Sequence, residues 1–266
     1  MKETILITGA SGRVAKAIGQ QLVDEYRVIG VSRSVEDNES FTEIDQLDLL
    51  KEEDLERLEQ LMEDVDCVMH LAWNLDVENF DTGEKWPQNI KMFENVLNTA
   101  RKAGVPIFVN GSSIHAGTGE LSAYTVEASL EDTPQPYRDS IDPETDFQLR
   151  REDPEKLISP LVEKPDSPYG ESKIETEKIL QQAVLNGDFK LGVSIRIGGV
   201  NAEDSQQVQD EPFYPSIYWS HKDMGRTIEN ILTADLNQKT GYHQFYGISD
   251  NENRVLSIEN NFTTTK

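Results

Sequence analysis

The 266-residue chain has one cysteine, four histidines and only 25 basic side chains against 49 acidic ones. A lone cysteine, Cys67 in an apolar stretch, cannot form an internal disulfide and suits a reducing compartment. Four scattered histidines with that single cysteine give no metal-ligand spacing, so a metal-free protein is expected. No run of about 18 apolar residues occurs, which rules out a membrane-spanning helix. Met1-Lys2-Glu3 leads straight into an apolar strand and does not read as a signal peptide, so a cytoplasmic location is expected. The net charge of −24 argues against nucleic acid or an anionic membrane as a partner. The acids are spread along the chain rather than gathered in a tail. Such a charge repels itself at low ionic strength, whereas the Debye length shrinks to about 3 Å at 1 M salt. A halophilic, salt-adapted chain is therefore expected, beside the plainer reading of an acidic protein from ordinary salt.

What the chain does have begins at its first strand. The apolar run Thr4-Ile5-Leu6-Ile7 is followed at once by Thr8-Gly9-Ala10-Ser11-Gly12-Arg13-Val14-Ala15. A strand that ends in glycines and opens a helix turns backbone N–H groups and the positive end of the helix dipole toward a pyrophosphate. Gly9 permits the tight turn, Gly12 lets the backbone approach phosphates, and Ala15 lets helix and strand pack closely. Val14, Ile18 and Leu22 then recur at helical spacing.

Strand and helix patterns go on alternating. Apolar runs at 4–8, 27–31, 66–71 and 105–109, with a short segment around 44–47, read as buried parallel strands. Helical stretches fall near 12–24, 51–62 and 86–103, the last stopped by Gly104 and Pro106. The later half adds helices near 169–187 and 221–234 and strands at 190–197 and 242–248. The fold class expected is α/β, a Rossmann-type doubly wound parallel sheet in one domain over residues 1–266. Residues 198–220 and 242–266 are assigned to a small C-terminal substrate lobe. Between Gly117 and Pro168 periodicity stops in a long, acidic, proline-rich insertion, read as a substrate lid or, with comparable weight, as surface decoration or an interface.

The second informative segment is Tyr169-Gly170-Glu171-Ser172-Lys173. At i and i+4 the phenol and the ammonium share one helix face, and a cation there is expected to lower the pKa of the phenol. Tyr169 can then take a proton from an alcohol while hydride leaves for a nicotinamide. Ser112 and Ser113 close the strand that starts at Val105, at the carboxyl edge of the sheet where such folds bind ligands. Alone, a Tyr–Lys pair at this spacing is a common exposed pair on a helix; the glycine turn upstream and the two serines give it meaning.

These segments, with Asp48-Leu49, Val68-Met69-His70-Leu71-Ala72, Asn89, Asn110-Gly111-Ser112-Ser113-Ile114-His115-Ala116-Gly117 and Ser194-Ile195-Arg196-Ile197-Gly198-Gly199-Val200-Asn201, resemble the short-chain dehydrogenase/reductase superfamily in its extended, epimerase-like branch. Within that branch the chain is similar to uronate dehydrogenases and the haloarchaeal short-chain-type glucose-6-phosphate dehydrogenases, which oxidise the C1 hydroxyl of a cyclic sugar to a lactone. The resemblance implies Ser113, Tyr169 and Lys173 as catalytic residues. It implies cofactor contacts from Gly9, Ser11, Gly12, Arg13 and Val14 of the turn, from Ser32 and Arg33, and from Asp48 and Leu49 around the adenine. Leu71, Ala72, Asn89 and Ile197 complete the cofactor wall with Tyr169 and Lys173. His115, with Ser113 and Tyr169, is implied at the substrate; a buried structural imidazole is the other reading of that residue. Pairing of two chains through helices like 86–103 and 169–187 is frequent in the family.

Two departures bear on specificity. The arginine that grips the carboxylate in uronate dehydrogenases has no counterpart in 201–215, which holds neither Arg nor Lys. A neutral sugar fits, as does an anion held from elsewhere, for instance by Arg138, Arg150 or Arg151. Where an NAD enzyme carries an acid for the ribose hydroxyls, this chain has Ser32 and Arg33, so NADP is expected in preference to NAD, unless Arg33 simply points to solvent. The expected activity is oxidation of a hydroxyl on a small sugar-like molecule. Epimerase or carbonyl-reductase chemistry with the same residues is the alternative, then a cofactor-binding sensor without turnover. A dehydratase is disfavoured, because Ile114 and His115 stand where such enzymes carry an acidic pair.

Salt adaptation has a direct measurement. The melting midpoint is expected to rise steadily from low to molar KCl, and a flat midpoint would remove the idea.

Overall fold

The structure is a computed structural model in which residues 2–34, 39–74, 86–119, 157–207, 214–251, 254 and 256–262 are described. Seven strands, β1 (Thr4–Thr8), β2 (Arg27–Ser32), β3 (Glu43–Gln46), β4 (Cys67–His70), β5 (Ile107–Ser113), β6 (Leu191–Ile197) and β7 (Gly241–Gly247), form one sheet. Its order is β3-β2-β1-β4-β5-β6-β7 and every pairing is parallel. The helices are α1 (Arg13–Leu22), α2 (Glu52–Leu61), α3 (Trp86–Ala103), α4 (Pro168–Leu185), the short α5 (Tyr214–Ile217) and α6 (His221–Leu232). This is the doubly wound Rossmann-type sheet that the alternating pattern predicts.

Residues in the inner strands are apolar on both sides because helices cover both faces. Ile5 and Ile7 face a core shared with α1 and α6, where Ala15, Ile18, Leu22, Met224, Ile228 and Ile231 pack. Leu6 and Val68 face the opposite core, built with Leu58 of α2, Phe93 and Val96 of α3 and Leu180 of α4. The strand order reverses beside β1: β2 and β3 lie on one side, β4 to β7 on the other. That point, at the carboxyl ends of β1 and β4, is the place where such sheets take their ligands in a crevice.

Strand β5 is longer than its apolar run suggests and carries Asn110, Gly111, Ser112 and Ser113 fully inside the sheet. Residues 242–247, assigned to the C-terminal lobe on sequence, lie within β7 at the sheet edge. A third apolar cluster, Ile114, Ile158, Tyr246, Ile248, Leu256 and Ile258, packs the chain returning from the insertion over that edge. Most of the insertion, residues 120–156 with Arg138, Arg150 and Arg151, lies outside the described residues.

One buried polar knot ties these layers together. Arg196 of β6 meets Glu177 of α4 through two bonds of 2.8 Å, with side chains 0 % and 3 % exposed. Ser112 of β5 donates to the same carboxylate at 2.5 Å, and Arg196 donates onward to the Val162 carbonyl at 2.5 Å. The Tyr246 ring lies 5.9 Å from the guanidinium. Removing one charge strands the other in a dry place. Glu177→Gln is therefore expected to cost about 3–5 kcal/mol in urea unfolding, whereas replacing both residues by apolar ones of similar volume should recover much of the loss.

Candidate active site

The turn after β1 is built around Gly9, whose φ of +76° suits a residue without a side chain. A Cβ there would lie 2.8 Å from the Ala72 amide nitrogen and 2.9 Å from the Leu71 carbonyl carbon, so only glycine lets the turn touch the chain leaving β4. The Thr8 hydroxyl reinforces this approach. It accepts from the amides of Leu71 at 3.2 Å and Ala72 at 3.3 Å and pairs with His70 Nδ1 at 2.9 Å. Burial first, then the charge of Lys173, lowers the pKa of His70 to about 3 and keeps its ring neutral.

Helix α1 starts at Gly12 with no side-chain cap and no acid in its first turn, whereas α4 and α6 are capped by Ser167 and Ser220. Its first amides and dipole thus face the crevice without an internal partner from a cap, which fits a pyrophosphate. Around this cradle stand the other residues implied at the cofactor. Ser32, at the end of β2, donates to Ser11 at 2.8 Å, and exposed Arg33 follows it with its carbonyl accepting from Gln46. Arg13 reaches across the crevice to the Val200 carbonyl at 3.0 Å. Val14 is partly buried against the core, and Ile197 ends β6 beside Ser113 in the register. Leu49 is buried, and Asp48 beside it caps its own turn by accepting from the Leu50 amide. Asn89 is fully buried, and its amide clamps Asn74 at both backbone atoms, 2.8 and 3.2 Å, which supports the loop after β4.

Tyr169 and Lys173 come from the first turns of α4, which Ser167 caps through the Gly170 amide. A Cβ on Gly170 would lie 2.2 Å from the His115 carbonyl oxygen, so this glycine allows α4 to press on the chain just beyond β5. That contact brings together the three residues singled out as catalytic: the hydroxyls of Ser113 and Tyr169 are hydrogen-bonded, and Lys173 lies one turn further along.

The electrostatics correct one expectation. The pKa of the phenol is raised, not lowered: the Lys173 ammonium donates to the Gly111 carbonyl at 2.9 Å and lies 3.5 Å from the centre of the Trp73 ring, but 5.5 Å from that of Tyr169. Burial pushes Tyr169 up to about 12; the Ser113 bond opposes this and the Asp166 charge adds to it. Burial likewise pushes Lys173 down to about 7, against the pull of Glu177. Desolvation outweighs the helical i,i+4 pairing because both groups are sunk between α4 and the sheet.

Several contributors escaped the sequence. Trp73 and Trp86 form an aromatic wall against Tyr169, with ring centres 6.2 and 5.4 Å from it and 6.1 Å from each other. The buried indole nitrogen of Trp73 has no hydrogen-bond partner among the described residues. Asp166 holds His115, whose ring centre is 5.6 Å from that of Tyr169. Tryptophans outside any motif gave no signal; Asp166-Ser167-Pro168 does carry one, since it reads as a helix-capping sequence directly before the tyrosine.

The profile of the NAD dependent epimerase/dehydratase family matches residues 5–140, half of the chain, and the protein belongs to that family. Among curated proteins it is 26 % identical to the NAD-dependent glucose-6-phosphate dehydrogenase of Haloferax volcanii, over 97 % of this chain and 90 % of that protein. Among solved structures it resembles a mutated uronate dehydrogenase with a TM-score of 0.69 and 23 % identity, covering 97 % of this chain and 78 % of that one. The UDP-N-acetylglucosamine 4-epimerase of Bacillus cereus follows at TM-score 0.58 and 19 % identity, covering 94 % and 79 %. The two structural likenesses confirm the fold. No helix among the described residues is long and apolar enough to cross a membrane.

The buried ammonium has a stability signature. The unfolded chain keeps the Lys173 proton up to its ordinary pKa of 10.5, the folded chain only to about 7. Between those values the unfolded state binds more protons, so stability climbs with pH. Without added cofactor, Lys173→Met is expected to melt about 3–6 °C higher at pH 7, an advantage that vanishes by about pH 10. Parallel pH dependences in the two proteins would overturn the assignment.

Proposed function

We propose that the chain is an NAD(P)-dependent sugar dehydrogenase that oxidises a hydroxyl, C1 of a cyclic sugar, to the lactone. The observation that carries this reading is the hydrogen-bonded Ser113–Tyr169 pair beside Lys173, at the carboxyl edge of a sheet whose first helix opens uncapped on a glycine turn. Ser113 holds the substrate oxygen, Tyr169 takes its proton, and Lys173 anchors the nicotinamide ribose and supplies positive charge. A bound nicotinamide dinucleotide contributes the hydride acceptor. The phenol needs help to lose its proton, since burial holds it high; the Ser113 bond and the charge of Lys173, once turned from Gly111, act in the required direction. Trp73 and Trp86 keep water away from that proton transfer.

The relatives support a sugar as substrate: one is a glucose-6-phosphate dehydrogenase and another a uronate dehydrogenase. The segment 198–216 offers no Lys or Arg to a carboxylate or phosphate, which favours a neutral ring or an anion held by another part of the chain. At the adenosine end, Ser32 and Arg33 favour the 2′-phosphate of NADP where an acid would repel it, although the Haloferax relative carries the name of an NAD enzyme.

Reduced-nicotinamide absorbance with a panel of aldoses, uronates and sugar phosphates tests the activity. Tyr169→Phe is expected to lose at least about 10³-fold in kcat while still binding cofactor. Tight cofactor binding without turnover on any sugar would shift the reading to an epimerase or a sensor. Arg33→Ala is expected to lower kcat/KM for NADP about tenfold and to leave that for NAD within about twofold; equal losses would assign Arg33 no part in choosing the cofactor.

A further inference from the structure

The insertion leaves the sheet and returns to it through a hydrogen-bonded neck that ends against Tyr169. Its rungs are Gly119 N–H to the Lys164 carbonyl at 2.8 Å, Lys164 N–H to Ala116 at 3.1 Å and Asp166 N–H to His115 at 3.2 Å. At the last rung the side chains join as well. His115 Nδ1 lies 2.8 Å from one Asp166 carboxylate oxygen and 3.1 Å from the other. Ser167 donates to that carboxylate at 2.8 Å, and Thr118 donates to it from the outgoing chain. The result is a carboxylate behind an imidazole whose ring stands edge-on to the phenol assigned as the base.

We propose that Asp166 is a positioning residue of the dehydrogenase reaction: it holds the His115 ring by Nδ1, so that the opposite nitrogen, Nε2, is the one presented to the substrate oxygens beside Ser113 and Tyr169. The inference rests on the reading of this site as a sugar dehydrogenase. Three observations carry it. A carboxylate accepts and cannot donate, so this bond places a proton on Nδ1 and fixes the tautomer. The carboxylate is itself held by Thr118 and Ser167, so the acceptor that the ring meets has a fixed place. The His115 ring remains 42 % exposed while the Asp166 side chain keeps 20 %, which puts the carboxylate behind and the imidazole in front.

Asp166 also faces Tyr169, and the two effects of its charge differ in sign. Its negative charge raises the pKa of the phenol and so hinders loss of the tyrosine proton. If Asp166 acted only through that field, neutralising it would help catalysis. If it acts through His115, neutralising it harms catalysis. The backbone of His115 is held as well, its amide donating to the Ser113 hydroxyl at 3.3 Å.

The experiment compares Asp166→Asn, His115→Gln, the double variant and Thr118→Val. It reads kcat/KM for the best sugar, cofactor affinity by fluorescence, and the tautomer of His115 by ¹⁵N NMR, assigned from the signal that His115→Gln removes. Asp166→Asn is expected to lower kcat/KM about 10–100-fold, to leave cofactor affinity within about twofold, and to shift His115 away from the Nδ1–H tautomer. The double variant should lose no more than His115→Gln alone, since a residue acting through another adds nothing once the other is gone. Thr118→Val, which touches Asp166 but not the ring, should cost less than threefold. A rate gain in Asp166→Asn, additive losses in the double variant, an unchanged tautomer, or an equal loss in Thr118→Val would overturn the proposal. If the native chain oxidises no sugar, the dehydrogenase reading fails, while the tautomer measurement still decides whether Asp166 sets the ring.

Discussion

Glu177 and Arg196 face each other through two bonds of 2.8 Å where almost no water reaches them, and the position of α4 follows from that pairing. Glu177 sits one turn beyond Lys173 on α4, so fixing it against β6 fixes the rotation of the helix and with it the direction of Tyr169 and Lys173. Ser112 shares the carboxylate, which draws β5 and its neighbour Ser113 to the same point. Arg196 also takes the Val162 carbonyl, which secures the chain returning from the insertion just before Asp166 and the α4 cap. A buried pair of this kind repays its desolvation only when further hydrogen bonds engage its remaining lone pairs and protons, and here a serine hydroxyl and a backbone carbonyl add to the ion pair.

The buried lysine at this site is maintained at the expense of stability. Lys173 is 4 % exposed, with a carbonyl and an indole ring for company instead of a carboxylate. Tyr169 is likewise kept from ionising by the burial that shields it from water. Lys173 is thereby held away from its preferred charge state, in the sense in which active sites depart from the locally most stable arrangement, whereas the neutral phenol keeps the form it has at neutral pH anyway. Glycines at 9 and 170 serve the same end, since each allows a backbone approach that any side chain would prevent.

Much of this architecture was legible in one sequence. The buried strands announced themselves as apolar runs, because in a parallel sheet covered on both faces the local pattern and the environment coincide. The glycine turn and the Tyr–Lys spacing were legible for a similar reason: each is a local constraint, satisfied within a few residues. Strand β5 was cut short because Asn110 to Ser113 are polar, and only their partners on α4 and β6 make those groups acceptable inside. Asn89 also holds the backbone of Asn74, a partner 15 residues away that no spacing rule reveals.

Sequence by itself determined the strand and helix order, the glycine turn between β1 and α1 and the presence of serine, tyrosine and lysine at the carboxyl edge, since period, capping and turn chemistry act over short stretches of chain. Tertiary structure alone decided what those residues experience. That Lys173 bonds Gly111 across 62 residues, that Asp166 holds His115 across 51, and that burial overrides the expected lowering of the phenol depend on which surfaces the fold removes from water. Desolvation and long-range pairing are properties of the packed molecule, and a one-dimensional pattern carries the residues but not their dielectric surroundings.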